Sequence, residues 1–175
     1  MNTQPFTDSE IDLLQKGATG AGLLVAVSDR GFFDTFKEAG AMGKHVAAAR
    51  KNSSSPLIQR VAEARGTGFG LTASATEVEE GTVEALRSAG KLVQVKAPDQ
   101  FEAYRSYVLD LARSVSSAAD GGDEAESAAI SKIEDALAAP ATNDPTAKPP
   151  QAKSSAEQAV ENQERALETG EELPG

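Results

Sequence analysis

The chain is an acidic protein of 175 residues with a formal net charge of −10, no cysteine and only 5% aromatic residues. That charge argues against binding to nucleic acid or to an anionic membrane surface, because both depend on lysine and arginine. The absence of cysteine excludes disulfides, thiolate zinc sites and cysteine nucleophiles within this chain. A composition rich in alanine favours helix-on-helix packing, since alanine has the highest helix propensity.

The first predicted helices lie in the N-terminal third of the chain. Thr7 and Glu10 have the spacing of a capping box, so a short helix is expected to start there and to end near Gly17. The apolar run 20–28 fits either a strand or a buried helix, and the helical patterns around it favour the helix. A third helix is predicted over 31–51, because apolar residues recur there at helical spacing.

Four more helices are predicted after the turn at 52–55. Pro56 opens one of them, at the first helical position, which suits proline. The next two are expected over about 76–95 and from Pro98 onward, and the last over about 123–138. The helix after Pro98 has the clearest bundle pattern, because its apolar residues alternate in steps of three and four. These residues are Phe101, Tyr104, Val108, Leu111, Val115 and Ala118.

The glycine-rich stretch 66–70 has glycine at alternate positions and invites comparison with a phosphate-binding loop. Such a loop needs a strand before it and a helix directly after its glycines. Here a helix is predicted before it, and no Lys-Ser or Lys-Thr pair follows. The stretch is therefore predicted to be a connection between helices, with Phe69 tucked against the bundle.

The predicted fold class is all-α: a helical bundle domain of about six or seven helices over 1–139, followed by a disordered acidic tail over 140–175. Four prolines in 140–150 interrupt a polar stretch that cannot bury a core. Residues 154–168 are helix-prone but almost wholly polar, so only a transient helix is expected, in a tail that is either a tether or a solvated end. No secretory signal pattern and no apolar stretch long enough to span a bilayer occur, so a cytoplasmic location and no integral membrane segment are predicted.

His45, Arg60 and Arg105 each have a structural interpretation, and His45 has a functional one as well. His45 is the only histidine and lies seven residues after Glu38, on the same helix face, where an imidazole beside a carboxylate can bind metal or act as a general base. The simpler interpretation is an exposed or hydrogen-bonded structural histidine. Arg105 is interpreted as a partner in an ion pair inside the bundle, and Arg60 with Glu63 as a surface pair. No dense set of catalytic residue types occurs, so no enzyme is predicted.

An acidic turn is repeated at two predicted helix junctions. In 26–31 and in 117–122 an apolar helix runs into an aspartate with a glycine close by, and acidic residues follow in the next helix. Such an aspartate can cap the following helix. Together with a carboxylate one or two turns later it also offers hard oxygen ligands to a divalent cation. The candidate metal ligands are Asp29, Glu38, Asp120, Glu124 and Glu126.

The second of these junctions resembles a known family. Residues 118–121, followed by an acidic helix that ends with 130–137, resemble the helix-loop-helix of tellurite-resistance TerB-like domains. The resemblance covers about a third of the chain and implies an all-helical bundle with two acidic turns, associated with divalent-metal binding and stress responses. In that family an acidic residue stands seven positions after the aspartate. Here Ser127 and Phe36 stand there, whereas Glu126 and Glu38 lie at six and nine.

Three functions compete on this sequence. The first is a non-enzymatic interaction or scaffold protein, related to stress, that binds a protein partner or associates with itself. The second is a divalent-metal-binding stress-response protein of the TerB-like kind, with a divalent cation as its only implied cofactor. The third is a hydrolase or transferase that uses His45 with nearby acids, and it requires several helices to bring those groups together.

Overall fold

The structure is a computed structural model that describes residues 5–28, 36–63, 68–69, 74–118 and 124–138, with the side chains of 36–39 excepted. These residues form α-helices joined by short turns, and no strand occurs among them, which confirms the all-α fold class. The helices are α1 (Asp8–Ser28), α2 (Phe36–Asn52), α3 (Pro56–Glu63), α4 (Ala75–Lys96), α5 (Phe101–Ser116) and α6 (Glu124–Ala138), with a 3₁₀ turn at Pro98–Gln100.

Helix α1 is one continuous helix, so the prediction of two helices separated near Gly17 is wrong. A side chain at Gly17 would come within 2.8 Å of the Tyr104 hydroxyl of α5, and one at Gly20 within 2.5 Å of Thr82 Oγ1 of α4. The two glycines thus mark places where neighbouring helices lie against the α1 backbone. Each glycine weakens an isolated helix by about 1 kcal/mol, and the burial of α1, chiefly against α4, α5 and α6, compensates for that loss. The apolar run 20–28 is helical, as predicted.

The core of the bundle is built around α1. Its most extensive contacts are with α4 and α5, and α6 closes the remaining side against α1 and α4. The fully buried large side chains come from all four of these helices and from α3; they include Leu14, Val25, Val61, Leu86, Val93, Tyr104, Leu111, Ile133 and Leu137. The Tyr104 hydroxyl donates to the carbonyl of Leu14 at 2.8 Å, which satisfies the buried phenol.

Helices α2 and α3 pack against each other; α2 also lies on α5, and α3 lies on both α1 and α5. From Gly40 to the end of α2 every residue is half-buried or exposed, so α2 rests on the bundle without entering its core. Helix α3 is different, because four of its eight residues, Leu57, Ile58, Val61 and Ala62, are buried. Among the described side chains of the helices, those of α2 are therefore the least buried.

The helix boundaries follow from caps that the sequence encodes. The predicted capping box at α1 is formed: Thr7 N donates to Glu10 Oε2 at 2.7 Å, and Glu10 N donates to Thr7 Oγ1 at 3.3 Å. A second capping box, between Ser74 and Glu77, starts α4 and was missed, although its Ser-x-x-Glu spacing follows the same rule. Pro56 is the first residue of α3, as predicted. Pro98 instead opens a single 3₁₀ turn, after which α5 begins at Phe101.

Phe69 packs on the bundle, as predicted for the α3–α4 connection. Side chains added at Gly20 and at Gly81 would each come within 2.9 Å of its ring, and Lys16 Nζ lies 5.0 Å from the ring centroid. The rest of the glycine-rich stretch and the predicted tail, 140–175, lie outside the described residues. Among the helices that are described, none is long and apolar enough to cross a membrane.

Candidate functional site

A pocket of about 280 Å³ opens at one end of the bundle. The segment before α1, the start of α3, the end of α4 and the 3₁₀ turn meet there. Five apolar residues and four polar or charged ones line it: Pro5, Phe6, Pro56, Leu57, Ala97, Arg60, Lys96, Asp99 and Gln100. Phe6, Leu57 and Ala97 are themselves buried, so the pocket has an apolar floor that the core supports from behind.

Arg60 ties the N-terminal segment to α3. Its Nη1 donates to the carbonyl of Phe6 at 2.7 Å, and its Nη2 bonds Asp8 Oδ1 at 2.7 Å. The two bonds use the fork of the guanidinium and hold its plane beside the pocket. The prediction of a surface pair between Arg60 and Glu63 is therefore wrong, because Arg60 reaches across to the segment before α1.

Lys96, at the end of α4, makes a similar link to the start of α1. Its Nζ lies 2.6 Å from Glu10 Oε1 and 5.9 Å from the centroid of the Phe6 ring. This hydrogen bond from Lys96 is the largest cause that lowers the pKa of Glu10, and the bond from the Thr7 amide adds to it. Glu10 therefore caps α1 and binds Lys96 in its ionised form.

Hydrogen bonds of Gln100 fix the part of the pocket that the 3₁₀ turn lines. Ser55 Oγ donates to Gln100 Oε1 at 2.7 Å, and Gln100 Nε2 donates to Asp99 Oδ2 at 2.9 Å. Ser55 also accepts from the amide of Ile58, in the first turn of α3. This chain of hydrogen bonds joins α3 to the 3₁₀ turn and holds the Asp99 carboxylate at the pocket.

The charges around the pocket differ in their access to water. The side chain of Asp8 is 98% exposed and Asp99 is also exposed, whereas Arg60 and Lys96 have 25% and 34% of their side chains exposed. Both cations are already bonded to carboxylates of the same chain. Among the residues that line the pocket, Asp99 is the carboxylate and Arg60 and Lys96 are the cations.

The predicted metal ligands are only partly within the described residues. Asp29 and Asp120 lie outside them, and of Glu38 only the backbone in α2 is described. Glu124 is exposed at the first position of α6. Within the described part of the chain, no three histidine, aspartate or glutamate side chains gather as a metal site would require. The five-residue metal site remains a prediction.

Glu126, in contrast to Glu124, is buried and has a defined hydrogen bond. Its side chain sits in the first turn of α6, only 2% of the residue is exposed, and Ser116 Oγ of α5 donates to its Oε2 at 2.7 Å. A carboxylate at a helix N-terminus is favoured by the helix dipole, and the hydroxyl compensates part of the cost of burial. Glu126 thus links the end of α5 to the start of α6.

His45 lies between α2 and α5. Its Nδ1 is 3.1 Å from Ser114 Oγ, and its ring stacks on Tyr107 at 5.7 Å between centroids. Ser114 Oγ donates its hydrogen to the carbonyl of Asp110 at 2.6 Å, so Nδ1 carries the hydrogen of the neutral imidazole and donates to Ser114. Burial lowers the pKa of His45, and the charge of Asp110 partly opposes this. This bond holds α2 on α5, and it leaves Ser114 as an acceptor.

Arg105 forms a surface pair and does not point into the bundle. Its Nη1 lies 3.9 Å from Glu102 Oε2, one turn earlier on α5, and the Glu102 side chain is largely exposed. The predicted ion pair inside the bundle is therefore wrong. The arginine is at the edge of the apolar stripe, where its head reaches water.

Comparison with protein-family models, curated proteins and solved structures finds no match to this chain. The resemblance to TerB-like domains therefore remains a prediction from short motifs.

Sequence reasoning missed the pocket because its parts come from four separate places in the chain. Phe6 precedes the first helix and was not counted as core, although an apolar residue just before a capping box often packs back on its helix. That signal was available for Phe6. No local pattern, in contrast, predicts that Arg60 and Lys96 converge on it.

Proposed function

We propose that this protein is a non-enzymatic interaction protein that receives an apolar side chain of a protein partner in the pocket at the end of the bundle. The observation that carries the proposal is the supported apolar floor of Phe6, Leu57 and Ala97, open to solvent and framed by charged groups. A buried apolar anchor inside a polar rim is the arrangement typical of protein recognition sites.

The size of the pocket favours a side chain over a cofactor. Pockets for drug-sized ligands and cofactors measure roughly 300–1,000 Å³, and this one, at about 280 Å³, is just below that range. It suits one large apolar side chain together with part of the backbone that carries it. The hydrogen bonds of Arg60, Ser55 and Gln100 hold the walls in place, which reduces the entropy lost on binding.

Selection of short peptides from a random phage-displayed library tests the proposal. The full chain is the bait, and recovered peptides are measured by titration against the wild type and two variants. Pro56→Trp places a large ring at the pocket, at an exposed residue that lines it. Ala128→Trp makes the same addition at an exposed position of α6, which does not line the pocket.

We expect the selected peptides to contain an apolar anchor and to bind the wild type and Ala128→Trp equally. They should bind Pro56→Trp at least about tenfold more weakly, because the tryptophan occupies the space that the anchor of the peptide needs. Equal melting temperatures of the three proteins confirm that folding is unchanged. Peptides that bind Pro56→Trp as tightly as the wild type would contradict the proposal, and so would a selection that enriches none. Dimerisation abolished by Pro56→Trp alone would identify a second copy of the chain as the partner.

A second proposal is divalent-cation binding at the α5–α6 junction, as in a metal-responsive stress protein. It is supported by the buried carboxylate of Glu126, which adjoins the stretch that contains Asp120. Titration with calcium, magnesium, manganese and zinc during thermal unfolding tests it, because a bound ion raises the melting temperature in a saturable way. The rise should disappear in Asp120→Ala and persist in the exposed control Asp135→Ala. No rise with any of the four ions would remove this proposal.

A further inference from the structure

We propose that a notch between α1 and α4, bounded by Gly20, Gly81 and Thr82, is a binding site for a phenolic ring, and that the ring of Phe69 occupies it within the chain. The two glycines leave the backbones of α1 and α4 without side chains at this place. The notch shares no residue with the pocket at the end of the bundle, so the inference does not rest on the proposed function.

The ring of Phe69 is inserted between the two glycines. A Cβ atom at Gly20 would lie 2.9 Å from its Cε2 and 3.2 Å from its Cζ, and a Cβ atom at Gly81 would lie 2.9 Å from its Cε1. The outer edge of the ring therefore fills a space that exists because both positions lack a Cβ atom. The pair of glycines thus shapes the notch for a flat ring.

One polar group at the notch is left unsatisfied. Thr82 Oγ1 is completely buried and has no hydrogen-bond partner within the described part of the chain. It lies 2.5 Å from the point where a Cβ atom of Gly20 would lie, which is the same point that the edge of the Phe69 ring approaches. A helical threonine commonly donates to the carbonyl four residues earlier, as Thr19 does to Gln15 at 2.9 Å. A buried hydroxyl without a partner destabilises the protein, and the ring of phenylalanine has no hydroxyl or N–H group to satisfy it.

These features together define the ligand. A phenol has the same flat ring as Phe69 and adds a hydroxyl that can donate to Thr82 or accept from it. Lys16 Nζ lies 5.0 Å from the centroid of the Phe69 ring, within the range of cation–π attraction, and it acts on any ring at that place. The notch therefore suits a phenol better than it suits the phenylalanine that fills it.

Occupation by Phe69 makes the site autoinhibited. Phe69 is only half-buried, although the hydroxyl of Thr82 beside it is completely buried. A ring that belongs to the same chain competes at a high effective concentration, so a phenol from solution has to displace it. The wild type should therefore bind a phenol more weakly than a variant that lacks the ring.

Phe69→Ala vacates the notch and allows a direct test. The full chain with this change is titrated with p-cresol and with toluene, the side-chain analogues of tyrosine and phenylalanine, and the NMR amide signals of Gly20 and Gly81 are followed. We expect p-cresol to bind about two- to tenfold more tightly than toluene, since one hydrogen bond to Thr82 distinguishes them. The wild type should bind p-cresol at least about fivefold more weakly than the variant, because Phe69 competes. Equal affinities of the two ligands, or no shift of either signal, would contradict the proposal.

Two further changes in the Phe69→Ala protein separate the ring from the hydroxyl. Thr82→Val replaces the hydroxyl with a methyl group of similar size, so p-cresol should lose its advantage while toluene binds as before. Gly81→Ala adds a methyl group at a point where only atoms of Phe69 lie within 4 Å, so it should leave folding intact and weaken both ligands at least about fivefold. Gly43→Ala, at an open position of α2, is the matched control and should change neither. Unchanged binding in the Gly81→Ala protein would place the ligands elsewhere and overturn the proposal.

The wild type supplies a second test that does not depend on how well Phe69→Ala folds. As p-cresol is added, the ring signals of Phe69 should move toward those of an exposed phenylalanine. N-acetyltyrosinamide, which has the same ring on a peptide backbone, then identifies the source of the phenol. Affinity equal to that of p-cresol indicates a tyrosine side chain of a partner, and weaker binding indicates a free phenolic compound. If the ring signals of Phe69 stay constant up to the highest soluble concentration of p-cresol, the proposal is wrong.

Discussion

Helices α1 and α2 share one feature, a pair of glycines three residues apart, and occupy different places in the protein. The pairs are Gly17 with Gly20 in α1 and Gly40 with Gly43 in α2. At Gly17 and Gly20 of α1 a side chain would meet atoms of α4 and α5 at 2.5–2.8 Å, whereas at Gly40 and Gly43 of α2 nothing lies within 4 Å. The same glycine spacing thus occurs in a helix that other helices enclose and in one whose described side chains are half-buried or exposed.

The difference shows that glycine spacing in a helix does not by itself predict whether another helix packs closely against it. In α1 the glycines allow the helices to approach closely, and the packing gained outweighs the loss of helix propensity. In α2 the glycines lower the helix propensity in the same way, but no neighbouring helix packs closely against them. The contrast can be tested by adding the same methyl group to both helices.

Gly20→Ala should have the largest effect. The new methyl group would overlap Thr82 Oγ1, which is fully buried and belongs to a stiff β-branched side chain, and also the ring of Phe69. Overpacking of this kind costs about 1–3 kcal/mol, and urea unfolding followed by circular dichroism measures it. A stability equal to that of the wild type would show that α1 and α4 are not in such close contact.

Tyr104→Phe should have the next largest effect, a loss of about 0.5–1.5 kcal/mol, because the hydrogen bond to the Leu14 carbonyl disappears. Gly17→Ala clashes with the same hydroxyl in the wild type. It should therefore cost less in the Tyr104→Phe background than alone, and a double-mutant cycle of urea unfolding measures that coupling. Additive effects would show that the hydroxyl does not lie against Gly17.

Gly43→Ala in α2 should stabilise the protein by up to about 1 kcal/mol, since alanine is the better helix former and the added methyl group meets nothing. The exposed position makes it the matched control for Gly20→Ala. Urea unfolding of the two variants in the same buffer should show shifts of opposite sign, and a loss of stability in Gly43→Ala would contradict an open position there.

Protonation of His45 should change the free energy of unfolding least, and the change should be visible as a dependence of stability on pH. Folding lowers the pKa of His45 below its ordinary value of 6.5, so the neutral form stabilises the folded state. The contribution is fully present above about pH 6.5 and is lost as the pH falls through the folded pKa. Because the chain has a single histidine, His45→Gln should remove the loss of stability between about pH 7 and pH 5. An unchanged slope in that variant would assign it to other groups.

Much of the fold could be predicted from the sequence, because helix periodicity and caps are local signals. The Thr7–Glu10 capping box, Pro56 at the start of α3 and the apolar stripe of α5 follow from residues a few positions apart. The division of α1 at Gly17 was wrong because the contact that keeps the helix intact comes from Tyr104, far along the chain.

The pocket could not be predicted from the sequence because it, too, depends on contacts between residues far apart in the chain. Arg60 and Lys96 acquire their roles from partners about fifty to ninety residues away, Phe6 and Glu10. A spacing rule for helices pairs Arg60 with Glu63 instead. Convergence of distant segments is a property of packing, which a single sequence does not encode in any short pattern.

Amide hydrogen exchange under native conditions tests most directly the claim that α1 is the continuous centre of the bundle and α2 its loosely attached outer helix. The account predicts that the amides from Leu14 to Val25, on both sides of Gly17 and Gly20, exchange only with global unfolding, whereas those of α2 exchange through local opening at a lower free energy. Equal protection of the two helices, or fast exchange around Gly17, would contradict it.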